Sequence, residues 1–239
     1  MTWQDRTVLV VVPARGNSKG IPRKNMQRVG GFSLIAHAAR TAAALPWLDA
    51  AVLSTDDEEM AEEGRKFGLD VPFLRPPELS TDTATSIDTW RHAWLESERH
   101  FGKRFDVSLL LQPTTPLRTP EEVERTLETL VAGDHQAAAT VGRVPTDFSP
   151  GRCLTLGEDG TLSFYSSKGA NVTRRQEFPP LYFRDGTCYA VTRESLVDRG
   201  QIVEEDCAAV LIDRFVVNID EPFELELAEF ILARENKDA

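Results

Sequence analysis

A short Val-rich run, Val8 to Val12, breaks directly into Pro13-Ala14-Arg15-Gly16-Asn17-Ser18-Lys19-Gly20-Ile21-Pro22-Arg23-Lys24-Asn25. The run reads as a buried strand. In the turn after it, Gly16 and Gly20 free the backbone, and Arg15, Lys19, Arg23 and Lys24 place four cations within ten residues. The whole chain has a formal charge of −11, so this loop runs against its background. Flexible backbone N–H groups backed by Lys and Arg are what a polyphosphate requires. The spacing is neither that of a P-loop nor that of a dinucleotide-binding turn. The alternative is an exposed basic turn with no ligand.

The rest of the chain alternates strand-like and helical patterns. Strands are expected at Thr7–Val12, Ala50–Ser54, Val71–Leu74, Val107–Leu111, Ala137–Val141, Thr187–Val191 and Arg214–Asn218. Helices are expected at Phe32–Leu45, Asp57–Phe67, Ser86–Phe101, from Thr119-Pro120 to about Ala132, and at Pro222–Arg234. This order predicts βαβ units, an α/β fold and a mostly parallel sheet in a single domain over residues 1–239. Thr119, Pro120 and Glu122 spell a capping box with proline at the first helical position. Between residues 145 and 182 periodicity fades, apart from a hairpin signal at Glu158-Asp159-Gly160 and a basic segment with Lys168, Arg174 and Arg175. So long an irregular stretch is unusual inside a compact domain, and it reads as an arm that packs on a second subunit.

Composition removes several function classes. The acidic balance, with a pI near 4.9, argues against nucleic-acid binding, although local cations can still hold a small anionic substrate in a cleft. No apolar run is long enough to span a bilayer and no signal segment is recognisable, so a cytoplasmic protein is expected. Cys153, Cys188 and Cys207 are odd in number and without a C-x-x-C pair, which favours free thiols over disulfides or zinc.

In a parallel α/β sheet, ligands sit beyond the carboxyl ends of the strands. The loop Arg15–Asn25, Asp56, Arg75, the turn Gln112–Arg118 and Asp220 all follow predicted strands, and together they read as a nucleotide site. Arg15, Lys19 and Lys24 would hold the β- and γ-phosphates and offset charge as pyrophosphate leaves. Arg23 reads as a solvated surface residue. Arg75, kept extended by Pro76, is either a nucleotide contact or a surface arginine. Ser86 is either a nucleotide contact or a helix N-cap. Pro113 and Pro116 stiffen their turn and leave Gln112, Thr114 and Thr115 to face the cleft. Arg118 could pair with Glu121 or Glu122 as a structural residue. Asp56 to Glu59 read as favourable charge at a helix start, with Asp56 also able to approach a metal. His37 reads as a packed histidine.

Several of these segments resemble one family. Pro13 to Gly20 followed by Lys24-Asn25, then Ser54-Thr55-Asp56, Leu74-Arg75-Pro76, Thr81-Asp82-Thr83-Ala84 and Leu111-Gln112-Pro113-Thr114-Thr115-Pro116-Leu117-Arg118, are similar in order and spacing to the acylneuraminate cytidylyltransferases. The resemblance implies a Rossmann-like nucleotidyltransferase domain with an inserted dimerisation arm. It implies a homodimer that couples CTP to a sialic-acid-like sugar acid, with relatives loading Kdo, legionaminic or pseudaminic acid. It puts Arg15 and Lys24 on the triphosphate, Asn25, Arg75 and Ser86 on the nucleotide, and Gln112 and Thr114 beside the sugar acid; Ala14, Gly16, Asn17, Ser18 and Lys19 complete the expected nucleotide-binding loop, and Thr115 is a further acceptor candidate from the same turn. Arm cations Lys168, Arg174 and Arg175 would hold the acceptor carboxylate. The family's Asp-Ile-Asp metal pair stands here as Asn218-Ile219-Asp220, so Asp220 is the Mg²⁺ candidate and Asn218 a departure. Asp220 could instead cap the last helix. A second departure is Asp185, in Arg184-Asp185-Gly186, where the family usually has an acceptor-binding Asn.

Overall fold

The first strand forms as β1 (Val8–Pro13), and its alternate residues serve two cores. Val8, Val10 and Val12 pack with Ile35, Met60 and Leu127, while Leu9 and Val11 pack with Trp90 and Trp94 on the opposite face. A strand covered on both faces has no position for a polar side chain, which is why the run is continuously apolar. The structure, a computed structural model, describes residues 3–166, 179–203 and 206–238.

After the cationic loop come a two-stranded hairpin, β2 (Arg28–Val29) and β3 (Phe32–Ser33), and then α1 (Leu34–Ala43), β4 (Ala50–Ser54) and α2 (Glu58–Lys66). The chain continues through α3 (Ser86–Phe101), β5 (Val107–Leu110), α4 (Pro120–Ala132) and β6 (Ala137–Arg143). A second hairpin, β7 (Leu154–Leu156) and β8 (Leu162–Phe164), precedes β9 (Tyr182–Thr192), β10 (Cys207–Leu211) and α5 (Pro222–Asp238). The main sheet has six strands in the order β10-β6-β9-β5-β1-β4. Pairs β1/β4, β1/β5 and β6/β10 are parallel, and β9 runs against both its neighbours. The α/β, mostly parallel architecture is therefore the one the alternating pattern predicts.

Helix starts are set by local chemistry. Ser33, Asp57 and Thr85 cap α1, α2 and α3 through side-chain oxygens, and Thr119 and Glu122 form the reciprocal capping box of α4. On α3, Trp90 and Trp94 are fully buried against the sheet, and the Trp90 indole donates to Ser108 Oγ at 2.8 Å. The three cysteines are free, and burial pushes the Cys188 thiol up to about 12. Among the described residues no helix is long and apolar enough to cross a membrane.

Four expectations change. Residues 71–74 are not a strand: only Asp70 bridges Val52, and Pro72 removes the next donor a ladder needs. Residues 214–218 are irregular, and the edge strand is instead β10, whose Cys207-Ala208-Ala209 start carries little strand signal. Strand β9 begins at Tyr182, earlier than expected, because its first residues pair with Gly142 and Arg143. Helix α1 begins at Leu34, after the short β2–β3 hairpin.

The Thr119 cap offers a direct stability test. Thr119 Oγ1 accepts from Glu122 N at 3.3 Å while Thr119 N donates to Glu122 Oε2 at 3.0 Å. Thr119→Ala should lower stability by about 1 kcal/mol with an unchanged denaturant slope. A urea midpoint equal to that of the parent would show that the box contributes nothing.

Candidate active site

Because β1, β4 and β5 are parallel and in register, their carboxyl ends finish side by side and deliver three loops to one place. The cleft there has a volume of about 680 Å³. Four cations and two carboxylates line it, a local excess of positive charge in an acidic chain.

The loop after β1 supplies Arg15, Ser18, Lys19, Lys24 and Asn25 to the cleft. Its course is fixed by backbone contacts: Ala14 N donates to Ser54 O at 2.9 Å, and Gly16 N donates to Asp56 Oδ1 at 2.9 Å. Asn25 Nδ2 donates to Arg15 O at 3.3 Å and closes the loop on itself. Gly20 passes so close to the end of the chain's last loop that a Cβ would lie 2.5 Å from Asp220 O. Ala14 is buried behind the loop, and Gly16 and Asn17 face a smaller pocket of about 320 Å³ on its outer side. Arg23 also faces outward, but it is not merely solvated. Its guanidinium pairs with Asp57 at 3.0 Å and Glu59 at 2.8 Å, and its hydrogen bond is the main cause holding the Asp57 carboxyl below the usual range.

Every loop cation in the cleft meets a carboxylate. Arg15 Nη1 lies 2.9 Å from Asp82 Oδ1, Lys19 Nζ 2.8 Å from Asp82 Oδ2, and Lys24 Nζ 2.8 Å from Asp220 Oδ1. Asp82 entered the sequence comparison only as part of a matching segment. Its single carboxylate, directly before α3, gave no periodic or capping signal.

Arg75 is 6% exposed at the cleft wall, so the surface reading fails. Thr55 O accepts from its backbone N–H at 2.7 Å, and Ser80 Oγ accepts from Nε at 3.2 Å. Desolvation lowers its pKa, and the Asp56 carboxylate, 3.7 Å away, opposes that effect. A guanidinium so poorly hydrated and open on one side favours an anion. The cap of α3 belongs to Thr85, which leaves Ser86 lining the cleft.

Gln112 and Thr114 line the opposite wall. Thr115 does not face the cleft: it is 1% exposed, and its hydroxyl donates to Gly186 O at 3.0 Å. Arg118 is buried beneath the turn and does not pair with Glu121 or Glu122. Its Nε donates to Thr187 O at 2.8 Å, and Nη2 donates to Gln112 O and Thr115 Oγ1. Burial lowers its pKa to about 10. Glu122 is taken by Arg214, at 2.7 Å. Asp185 also turns away from the cleft. It is 2% exposed, accepts from Thr140 Oγ1 at 2.6 Å and Thr187 N at 2.8 Å, and borders a neighbouring pocket with Phe183 and Phe215. The adjacent Gly186, at φ 81°, is what touches the cleft wall: a Cβ there would lie 2.8 Å from Gln112 Oε1.

The last wall comes from Asn218 and Asp220. Ile219 N donates to Thr114 O at 2.8 Å, tying this segment to the turn after β5. Asp220 does not cap α5 with its side chain, since Glu224 Oε2 accepts from the backbone N–H groups of Asp220 and Glu221. Asp56 is committed to Gly16 and Arg75 and does not line the cleft. His37 lies outside the cleft, 2.7 Å from Val29 O, and burial lowers its pKa. Lys168, Arg174 and Arg175 lie outside the described residues. Among the described residues no cluster of three or more His, Cys, Asp or Glu side chains forms a ready-made metal cage.

Residues 9–196 match the cytidylyltransferase family. The chain is 29% identical over 233 residues to the post-translational flagellin modification protein B of Campylobacter coli, covering 97% of each. It is 28% identical over 231 residues to the CMP-N,N'-diacetyllegionaminic acid synthase of Legionella pneumophila, covering 94% of this chain and 96% of that one. Its fold is similar to that of CMP:2-keto-3-deoxy-manno-octonic acid synthetase solved in complex with CTP, with a TM-score of 0.71 at 17% identity over 96% of this chain and 99% of the other. With more than half its length matched, the chain belongs to the cytidylyltransferase family.

Proposed function

We propose that this enzyme transfers the cytidylyl group of CTP to the anomeric hydroxyl of a nonulosonic, sialic-acid-like sugar acid, giving a CMP-sugar and pyrophosphate. The observation that carries the reading is one cleft in which a cationic loop, Arg15 to Lys24, faces a polar turn, Gln112 to Thr114. The full-length similarity to a legionaminic acid synthase supports the acceptor class.

The anomeric oxygen forms a bond to the α-phosphorus as the bond from that phosphorus to the β-phosphate oxygen breaks, and the hydroxyl proton passes to solvent. Negative charge grows on the departing pyrophosphate, where Arg15, Lys19 and Lys24 offset it. Arg75 and Ser86 hold the nucleotide, with Asn25 and Ser18 ordering the loop around it. Gln112 and Thr114 hydrogen-bond the sugar acid and hold its hydroxyl in line, which converts binding into rate.

Nucleotidyl transfer of this kind generally uses a divalent metal. The cleft offers the Asp220 carboxylate, whose Oδ2 accepts from the Asn218 amide nitrogen at 3.3 Å, so Asn218 would turn its amide over to present an oxygen. One or two carboxylates completed by substrate phosphates is the donor set that suits Mg²⁺, so the residues fit. When bound, the ion would neutralise phosphate charge and polarise the α-phosphoryl group.

The arm proposed for residues 145–182 has support from the β7–β8 hairpin. Leu154 opposes Phe164 and Leu156 opposes Leu162, so all four side chains share one face, and all are exposed. A lone two-stranded hairpin with a bare apolar face is not stable in water and calls for a cover. A second copy of this chain supplies it, making a homodimer.

Three measurements test the reading. A panel of CTP, ATP, GTP and UTP against neuraminic, legionaminic, pseudaminic and Kdo acids should release pyrophosphate only with CTP and a nonulosonic acid. No release with any of these acids would refute it. Lys24→Ala should lower kcat/KM by about 10²–10³-fold while changing the unfolding free energy by no more than about 1 kcal/mol, because Lys24, though only 17% exposed, pairs with an Asp220 that is 64% exposed. Gly186→Ala combines strain at positive φ with a clash on Gln112, so it should raise the acceptor KM far more than the CTP KM. Equal effects on both would place Gly186 outside the acceptor wall. For the arm, Leu156→Glu/Leu162→Glu should convert a dimer to monomers in sedimentation equilibrium. A monomeric parent protein would remove the arm's role.

A further inference from the structure

The carboxylate of Asp82 sits between Arg15 and Lys19 with one oxygen on each cation, at 2.9 and 2.8 Å. That is the arrangement two non-bridging phosphate oxygens would adopt between the same groups. Asp82 belongs to a short segment between the turn Pro77–Leu79 and α3, and it lines the cleft together with both cations. Few bonds hold this segment: Ala84 N donates to Thr81 O at 3.3 Å, Thr81 Oγ1 donates to Glu78 O at 3.4 Å and shares a hydrogen bond with Thr83 Oγ1 at 3.1 Å, and Arg15 donates to Thr81 O at 3.2 Å. All three side chains are substantially exposed, at 36% for Arg15, 80% for Lys19 and 49% for Asp82. Ion pairs this exposed are weak individually and are easily exchanged.

We propose that Asp82 is a displaceable counter-anion: it occupies the phosphate position of the loop in the empty enzyme and gives way to a polyphosphate. The proposal rests on the reading that the loop grips the triphosphate. In the empty state Asp82 keeps Arg15 and Lys19 together in their gripping arrangement. A small anion such as chloride or inorganic phosphate must compete with a tethered carboxylate for the same two cations. A triphosphate reaches Arg15, Lys19 and Lys24 together and wins by the extra contact. After transfer, the returning carboxylate competes with pyrophosphate and speeds its departure. Asp82 therefore sets both the affinity for the polyanion and the ease of product release, without touching the reacting atoms.

The test uses the full chain and compares the parent, Asp82→Asn, Lys19→Ala and the double variant. Calorimetric titration with sodium pyrophosphate, and separately with CTP, is done in chelator-treated buffer so that no metal intervenes. Asp82→Asn should bind pyrophosphate about three- to tenfold tighter, since two competing exposed ion pairs are removed. In turnover, pyrophosphate should inhibit this variant at correspondingly lower concentration. The gain should shrink in the Lys19→Ala background, a coupling that a purely structural role for Asp82 would not produce. Unchanged or weaker pyrophosphate binding by folded Asp82→Asn overturns the proposal. So does a loss of CTP affinity that appears only when Mg²⁺ is added, which would make Asp82 a metal ligand. A parent protein that binds neither CTP nor pyrophosphate would instead refute the polyphosphate reading of the loop, and the proposal with it.

Discussion

The burial of Val8 to Val12 of β1 between β4 and β5 is the constraint from which the rest follows. A strand dry on both faces must pair both of its edges, and it does so in parallel with each neighbour. Parallel pairing demands crossover connections, and these become α1, α2 and α3, which cover the two faces. It also makes three strands end at the same level. The loops that leave those ends are then neighbours in space although they are tens of residues apart in the chain. The cleft is the geometric residue of that arrangement.

What turns adjacent loops into one rigid site is the buried guanidinium of Arg118. It donates to the carbonyls of Gln112 and Thr187 and to the Thr115 hydroxyl, joining the turn after β5 to β9. Ile219 then hangs from Thr114, so the segment with Asn218 and Asp220 inherits the same anchor. Burying a guanidinium without a carboxylate bonded to it is costly, as its pKa, lowered to about 10, reflects. An apolar side chain could fill the same volume, but it could not hold two carbonyls at set positions. Precision at the wall that carries Gln112 and Thr114 is what that cost secures.

Elements whose cause is local could be read from the sequence. Strand β1, helix α3 with its tryptophan face, and the α4 capping box each depend on spacing within a few residues. The cationic loop, Gln112 and Thr114 followed, because a side chain placed just after a parallel strand has little choice but the strand-end cleft; Arg75 reaches the cleft although the strand expected before it does not form, its backbone N–H held by Thr55 O. Orientation inside irregular backbone was not legible. Thr114 and Thr115 are chemically alike, and only the tertiary position of Gly186 turns one outward and the other in. Asp185 and Gly186 show the same thing in β9: the side chain faces Thr140, and the cleft meets only the glycine. Edge strand β10 escaped notice because its Ala-rich start has weak strand preference and its place depends on β6.

The two halves of the cleft are built on different principles, and this bears on how substrate preference can change. The cationic half is a continuous loop pinned to the neighbouring loop by Gly16 N on Asp56 and closed on itself by Asn25 on Arg15. Replacing one of its charged residues alters the charge pattern of the whole loop. The facing half is assembled from Gln112, Thr114, Gly186 and Asn218, drawn from three separate segments held together by Arg118 and by backbone bonds. The side chains of Gln112 and Thr114 can change without breaking that anchoring, since the bonds run through their backbone carbonyls, whereas Gly186 has no room for a Cβ. The wall facing the loop can thus vary its polar side chains while the cationic loop stays fixed, and Asp185, turned toward Thr140, lies outside that wall.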